Sequence, residues 1–170
     1  MKKFEKVWTD GWYPDYTKFL YSGWAILDKI KPEDRILDIG CGYNLFKKHF
    51  GDRLYGIDPY NPAADELVSW EDYQPKQKFN VYFALGSLHF GDDEIVESQI
   101  KKLSDLTNPG NRIFWRQNPG TQPCFVHETE MGFNGWTFEK NHAWSEKYNF
   151  SIVDLKQDTG DRIYAEWIKN

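Results

Sequence analysis

The stretch Arg35-Ile36-Leu37-Asp38-Ile39-Gly40-Cys41-Gly42 decides how the rest of the chain is read. Residues 35–39 form a short apolar run, stopped upstream by Pro32 and downstream by two glycines. Such a run reads as a buried strand ending in a tight turn. It delivers one carboxylate, Asp38, and then a glycine pair at the entry to a short helix over 45–50. In open α/β sheets ligands sit beyond the carboxyl ends of the strands, and glycines there let the backbone approach a ligand closely.

Outward from this stretch the same alternation repeats. A first helix is expected over 14–30, with Pro14 in its first turn and Phe19, Leu20, Gly23, Ile26, Leu27 and Ile30 on one face. Residues 54–57 read as a second strand ending at Asp58-Pro59, 67–70 as a weak third and 79–85 as a fourth ending at Gly86-Ser87. Asp92-Asp93-Glu94 opens a helix whose acidic first turn suits its dipole, with Ile95, Val96, Gln99, Ile100, Leu103 and Leu106 on its inner face. A fifth strand follows over 112–116, then an irregular segment and a helix over 138–148 capped by Thr137. Strands over 151–155 and 162–168, joined by Asp158-Thr159-Gly160-Asp161, close the chain as an antiparallel pair. Helices alternating with short apolar strands imply an α/β fold with a mostly parallel sheet.

The chemistry at the strand ends narrows the ligand. A dinucleotide site wants G-x-G-x-x-G/A, since the pyrophosphate sits on a helix N-terminus. Here Leu45 stands in place of the third small residue, and Asp38 would repel a pyrophosphate. A carboxylate at that point fits a ligand carrying a positive group. The second strand adds another acid, Asp58, about 20 residues after Asp38, where such folds place a residue that accepts ribose hydroxyls.

On these residues the sequence resembles the class I methyltransferases that use S-adenosylmethionine (SAM). The resemblance rests on Asp38-Ile39-Gly40-Cys41-Gly42, on Tyr55-Gly56-Ile57-Asp58-Pro59, on the run from Phe79 to His89, on the strand after Asn108-Pro109-Gly110-Asn111 and on the closing antiparallel pair. It covers the chain from about residue 14 to the end. It implies a Rossmann-like, mostly parallel seven-stranded sheet with helices on both faces. It implies SAM as cofactor and S-adenosylhomocysteine (SAH) as product. Gly40, Cys41 and Gly42 would then lie against the cofactor, with Asp38 near its methionyl end. Asp58, followed by Pro59, would bind the ribose, and Leu85 and Gly86 would line the methionyl pocket. The adenine amine would meet Asp72, with Glu71 as the neighbouring choice. The place where amino-DNA methylases of this family carry Asn or Asp, Pro-Pro and an aromatic reads Gly86-Ser87-Leu88-His89-Phe90, so N-methylation of DNA bases is not expected. Pro123-Cys124 follows the fifth strand, not the fourth, and is read as chance.

Methyl transfer from a sulfonium relies on in-line positioning, and a base is needed only if the acceptor must lose a proton. His89, just past the fourth strand, is the candidate base or acceptor contact; the alternative is a histidine that packs locally. His127 is a second choice, while His49 and His142 read as helix-surface residues. Arg116-Gln117-Asn118 could orient an acceptor or tie down the segment after it. Residues 117–136 read as a lid loop, and Trp8, Trp12, Tyr13 and Tyr16 within the N-terminal 31 residues either as packing of the first helix against the sheet or as a second cover. No zinc spacing and no nucleophile elbow is visible.

Length and composition agree. At 170 residues one domain is expected. The net charge is -5 and the cations are scattered, which argues against a phosphate-tracking surface. With nearly all of the chain spent on the core fold, a small-molecule acceptor is expected. Two cysteines make no disulfide framework, and no leader or membrane-length apolar run is seen, so a cytoplasmic protein is expected. Two other readings stay open: a non-catalytic SAM-binding module or partner subunit, and an NAD-dependent oxidoreductase.

Overall fold

The computed structural model describes residues 14–120 and 132–170. Seven strands form one sheet: β1 (Ile36–Ile39), β2 (Leu54–Asp58), β3 (Glu66–Leu67), β4 (Val81–Leu85), β5 (Arg112–Gln117), β6 (Phe150–Asp158) and β7 (Arg162–Lys169). Their order is β3-β2-β1-β4-β5-β7-β6. The first five run parallel, β7 lies antiparallel to β5, and β6 antiparallel to β7 at the edge. Every residue of β1 and β4 is buried, the mark of parallel strands covered on both faces.

Alternation along the strands sorts the core into two layers. Leu37, Ile39, Tyr82, Ala84, Ile113, Trp115 and Trp167 point to the face covered by α2 (Asp93–Leu106) and α3 (Phe138–Lys147). Ile36, Phe83, Leu85, Phe114 and Tyr164 point to the opposite face. There they meet α1 (Lys47–Phe50), Tyr16, Phe19 and Ile26. Asp92 caps α2 by accepting the Ile95 N–H at 2.9 Å, and Thr137 caps α3 by accepting the Lys140 N–H at 3.1 Å. Val96, Ile100 and Leu103 carry the buried stripe of α2. Ile100→Ala is therefore expected to cost about 2–5 kcal/mol in a denaturant titration, the range for truncating a fully buried aliphatic side chain.

The expected helix over 14–30 does not form. Two 3-10 turns, Tyr16–Lys18 and Trp24–Lys29, take its place. The cause is tertiary. Asp158, at the end of β6, accepts the N–H groups of Tyr21 and Ser22 at 3.0 and 2.9 Å, and Thr159 accepts that of Leu20 at 2.9 Å. These donors would otherwise feed an α-helix. Gly23 then packs so tightly that a Cβ on it would lie 2.0 Å from the Tyr16 carbonyl oxygen. Helices thus cover one face, while 3-10 turns and the four-residue α1 cover the other.

The third strand is shorter than the run 67–70 and begins one residue earlier, at Glu66. Residues 1–13 and 121–131 lie outside the described part of the chain, and with them Trp8, Trp12, Tyr13, Pro123, Cys124 and His127. Among the described residues no helix is long and apolar enough to cross a membrane.

Candidate functional site

The carboxyl ends of β1, β2 and β4 open onto a cavity of about 420 Å³. Its floor is the turn Gly40-Cys41-Gly42-Tyr43 after β1. Asp58-Pro59-Tyr60-Asn61 after β2 forms one wall and Leu85-Gly86-Ser87-Leu88 after β4 another. Val68, Trp70, Glu71, Ile95 and Gln99 close the side toward β3 and α2; Pro14, Tyr16 and Arg116 close the side toward β5.

The floor turn is held over β2 by two N–H donors, Gly40 and Cys41, which share the Ile57 carbonyl at 2.8 and 3.0 Å. Gly40 has φ +68°, and a Cβ there would stand 2.4 Å from the Cβ of Ser87. Only glycine lets the β1 and β4 exits approach this closely. Gly40→Ala is expected to lower stability by about 2–4 kcal/mol, from the left-handed backbone and the clash together. Adding Ser87→Gly should recover the clash part alone, a partial rescue visible in thermal melts. An unchanged melting temperature in the single variant would contradict this packing.

Asp58 binds both turns. Its Oδ2 accepts the Gly42 N–H at 3.0 Å, and its Oδ1 accepts those of Tyr60 and Asn61, each at 2.8 Å. One carboxylate therefore fixes the exits of β1 and β2 against each other and still lines the cavity. Asp38 lies beneath the floor, 3 % exposed. Burial pushes its pKa up to about 7; Arg116 opposes that rise and the Asp58 charge adds to it. Cys41 lines the cavity as a buried thiol, its pKa driven upward by burial and by the Asp38 and Asp58 charges. It is inert as a nucleophile at neutral pH.

Seven of the ten residues singled out from the sequence line the cavity: Gly40, Cys41, Gly42, Asp58, Pro59, Leu85 and Gly86. Asp38 underlies it, and two are placed elsewhere. Asp72 is exposed and its carboxylate accepts the Ser69 hydroxyl at 2.9 Å, whereas its neighbour Glu71 lines the cavity. His89 does not line the cavity either. Its ring sits edge-on between Phe90 and Phe133, at centroid distances of 4.5 and 5.0 Å. Burial, with the Arg162 and Arg116 charges, pushes its pKa down to about 3. A histidine that holds a proton so weakly makes a poor base at neutral pH. Its backbone has a clearer role: the His89 carbonyl accepts the Asn134 N–H at 2.7 Å, and Gly91 donates to the Gly132 carbonyl at 2.9 Å. The far end of the 117–136 segment is thereby pinned to the loop after β4.

Gln99 and Ile95 are findings of the structure. The sequence places both on the core face of α2, but Ile95 is 41 % exposed, and both line the cavity one helical turn apart. The Gln99 amide donates to Glu71 at 2.5 Å, and the Trp70 indole donates to the Gln99 carbonyl at 3.2 Å. The i, i+4 spacing is the one signal that could have paired them.

No family model and no curated protein sequence matches the chain. Solved structures do match. One is magnesium protoporphyrin IX methyltransferase from Synechocystis PCC 6803 with bound SAH: TM-score 0.70 at 14% identity, over 99% of this chain and 93% of the other. Another is 1,6-didemethyltoxoflavin-N1-methyltransferase from Burkholderia thailandensis with its substrate and SAH: TM-score 0.64 at 13% identity, over 81% and 71%. A third is the N-methyltransferase NodS from Bradyrhizobium japonicum WM9 with SAH: TM-score 0.63 at 14% identity, over 80% and 78%. The strand order, the closing antiparallel pair and these matches together show that the chain has the fold of the class I SAM-dependent methyltransferases.

Proposed function

We propose that the cavity binds SAM and that the protein transfers its methyl group to a small-molecule acceptor. The observation that carries this reading is the pair of strand-end acids, Asp38 and Asp58, framing the Gly40-Cys41-Gly42 turn at one cavity. Bound SAM supplies an electrophilic methyl carbon on a sulfonium; the acceptor lone pair takes it, and SAH is left. The residues here bind and orient. Gly40 and Gly42 let the cofactor lie against backbone. An ionised carboxylate has about four acceptor positions; three at Asp58 hold backbone N–H groups, which leaves one for a ribose hydroxyl. Glu71, which accepts the Gln99 amide, presents an acceptor to an adenine amine on the β3 side. Tyr16, Leu88, Phe90 and Ile95 supply apolar wall, which suits a small acceptor with an apolar body and a dry transfer step.

The glycine turn leads into α1, only four residues long. So short a helix offers little dipole to a pyrophosphate, which speaks against a dinucleotide. Calorimetry with SAM, SAH and NAD tests the reading. Micromolar binding of both sulfur ligands, with none for NAD, is the expected result. No binding of SAM or SAH would withdraw it. Binding without methyl release to any acceptor would leave a SAM-binding module.

A further inference from the structure

Two arginines without counter-ions stand at the β5 and β7 side of the cavity. Arg116, near the end of β5, is buried and lines the cavity. It donates to the carbonyls of Leu85 and Ser22 and hydrogen-bonds Tyr16, all of them neutral partners. Arg162 opens β7, two residues before Tyr164, the residue that pairs with Arg116 across the strands. It is half-buried and donates to two carbonyls of its own turn, Gly160 at 3.1 Å and Asp161 at 3.0 Å. Among the described residues neither arginine closes an ion pair. Asp158, close enough for its charge to act on Arg116, turns its oxygens instead to the N–H groups of Tyr21, Ser22 and Thr159. The Arg162 pKa is lowered first by burial and then by the Arg116 charge, so the two cations repel each other; the Asp161 charge offsets this in part.

Gly86 opens the cavity toward these charges. A Cβ on it would stand at ordinary contact distance from Arg116, 3.5 Å from Nη2 and 3.6 Å from Nε, and 3.8 Å from His89 Cε1. The missing side chain therefore leaves a recess walled by a guanidinium and an imidazole. His89 Nδ1, bonded to that same Cε1, is buried and meets no hydrogen-bond partner. Leaving such a group unsatisfied is costly, and so is a buried cation without a counter-ion. One kind of group answers all three: a carboxylate, which accepts in several directions at once and matches the planar fork of arginine.

We propose that the methyl acceptor is an apolar molecule bearing a carboxylate, and that this carboxylate docks at the Gly86 recess on Arg116 and Arg162, with His89 as a third donor in its Nδ1–H tautomer. This rests on the SAM reading above and names the class of acceptor for the same site. Tyr16, Leu88 and Phe90 line the neighbouring wall and suit the apolar body. It also gives His89 a use that needs no proton transfer.

Benzoate and benzamide, alike in shape and different in charge, are the probes, titrated by NMR into the protein saturated with SAH. The native protein should prefer benzoate by at least about tenfold, the scale of one charge-assisted hydrogen bond. In Arg162→Gln the two probes should fall within about threefold of each other. Arg162→Lys, which keeps the charge without the fork, should restore part of the preference. Equal binding of the two probes by the native protein overturns the proposal, and so does a full preference surviving in Arg162→Gln. Benzoate that binds the ligand-free protein but is displaced by SAH overturns it as well, because the charges then serve the cofactor; the SAM reading stands in all three cases. Failure of SAH to bind, with benzoate still held through Arg162, removes the SAM reading and leaves the carboxylate site. If Arg162→Gln does not fold, the native comparison and Arg162→Lys still decide.

Discussion

Asp58→Ala is expected to weaken SAH binding by at least about a hundredfold and to lower the melting temperature together with it. The carboxylate accepts three backbone N–H groups, from Gly42, Tyr60 and Asn61, and all three residues line the cavity. Alanine leaves these donors without acceptors. Each costs about 1–3 kcal/mol where water cannot replace the partner. Partial hydration at the cavity wall brings the total to about 3 kcal/mol, or roughly 6–12 °C for a chain of this size. The binding loss is larger than the removal of one hydroxyl contact because two walls lose their common tie. Asp58→Asn separates the effects. Its remaining oxygen can still serve Tyr60 and Asn61, while its amide faces the Gly42 N–H as a donor against a donor. It should melt nearer the native protein and bind with intermediate affinity. An alanine variant that binds SAH within threefold of the native protein would remove Asp58 from the site.

SAH affinity should also depend on pH, with a midpoint near 7 that belongs to a carboxylate and not to a histidine. Asp38 faces Arg116 from β5, Asp58 from β2, and Tyr16 and Cys41 from the cover and the floor turn. Burial outweighs the help of Arg116 and sets its pKa at about 7 in the ligand-free protein. The raised value means that the proton is held up to neutral pH. An ammonium is attracted to the ionised form alone, so binding weakens as pH falls through 7 and is insensitive well above it. Between pH 8 and pH 6 the dissociation constant should rise about tenfold. Asp38→Asn should bind more weakly at pH 8 and show no slope. His89→Gln should keep the slope, because its imidazole is already neutral across this range. A slope that vanished with His89 and persisted without Asp38 would reverse the assignment.

The same carboxyl makes a statement about folding. Its pKa is raised above the unfolded value, so its contribution favours the folded state most at low pH and declines as pH rises from about 4 toward 7. This trend runs against the usual acid lability of carboxylates. Asp38→Asn should remove it and be more stable than the native protein at pH 8, where the buried charge is fully present.

Much of the fold was legible because its strands carry a strong local signal. Ile36–Ile39 and Val81–Leu85 are continuous apolar runs ended by glycine, and short runs of that kind have few alternatives to a buried parallel strand. Asp92 and Thr137 announced their helices because capping is a contact between residues three apart. The cavity floor and the Asp58 wall were legible for the same reason: glycines and acids at strand ends are fixed by the local chain path.

What failed lay where distant residues compete for the same groups. The apolar spacing over 14–30 describes a helix, but Asp158 and Thr159, more than a hundred residues later, take the N–H groups such a helix would need. His89 looked poised at a pocket mouth, and two phenylalanine rings bury it instead. Asp72 and Glu71 are indistinguishable in sequence; one turn of backbone sends the first to Ser69 and the second to the cavity. The sequence by itself determined the parallel sheet, the glycine turn and the two acids, because each depends on neighbours along the chain. Only the tertiary structure decided that Arg116 and Asp38 are buried as separated opposite charges beside one cavity, because burial and the distance between strands β1 and β5 are properties of packing that no local pattern encodes.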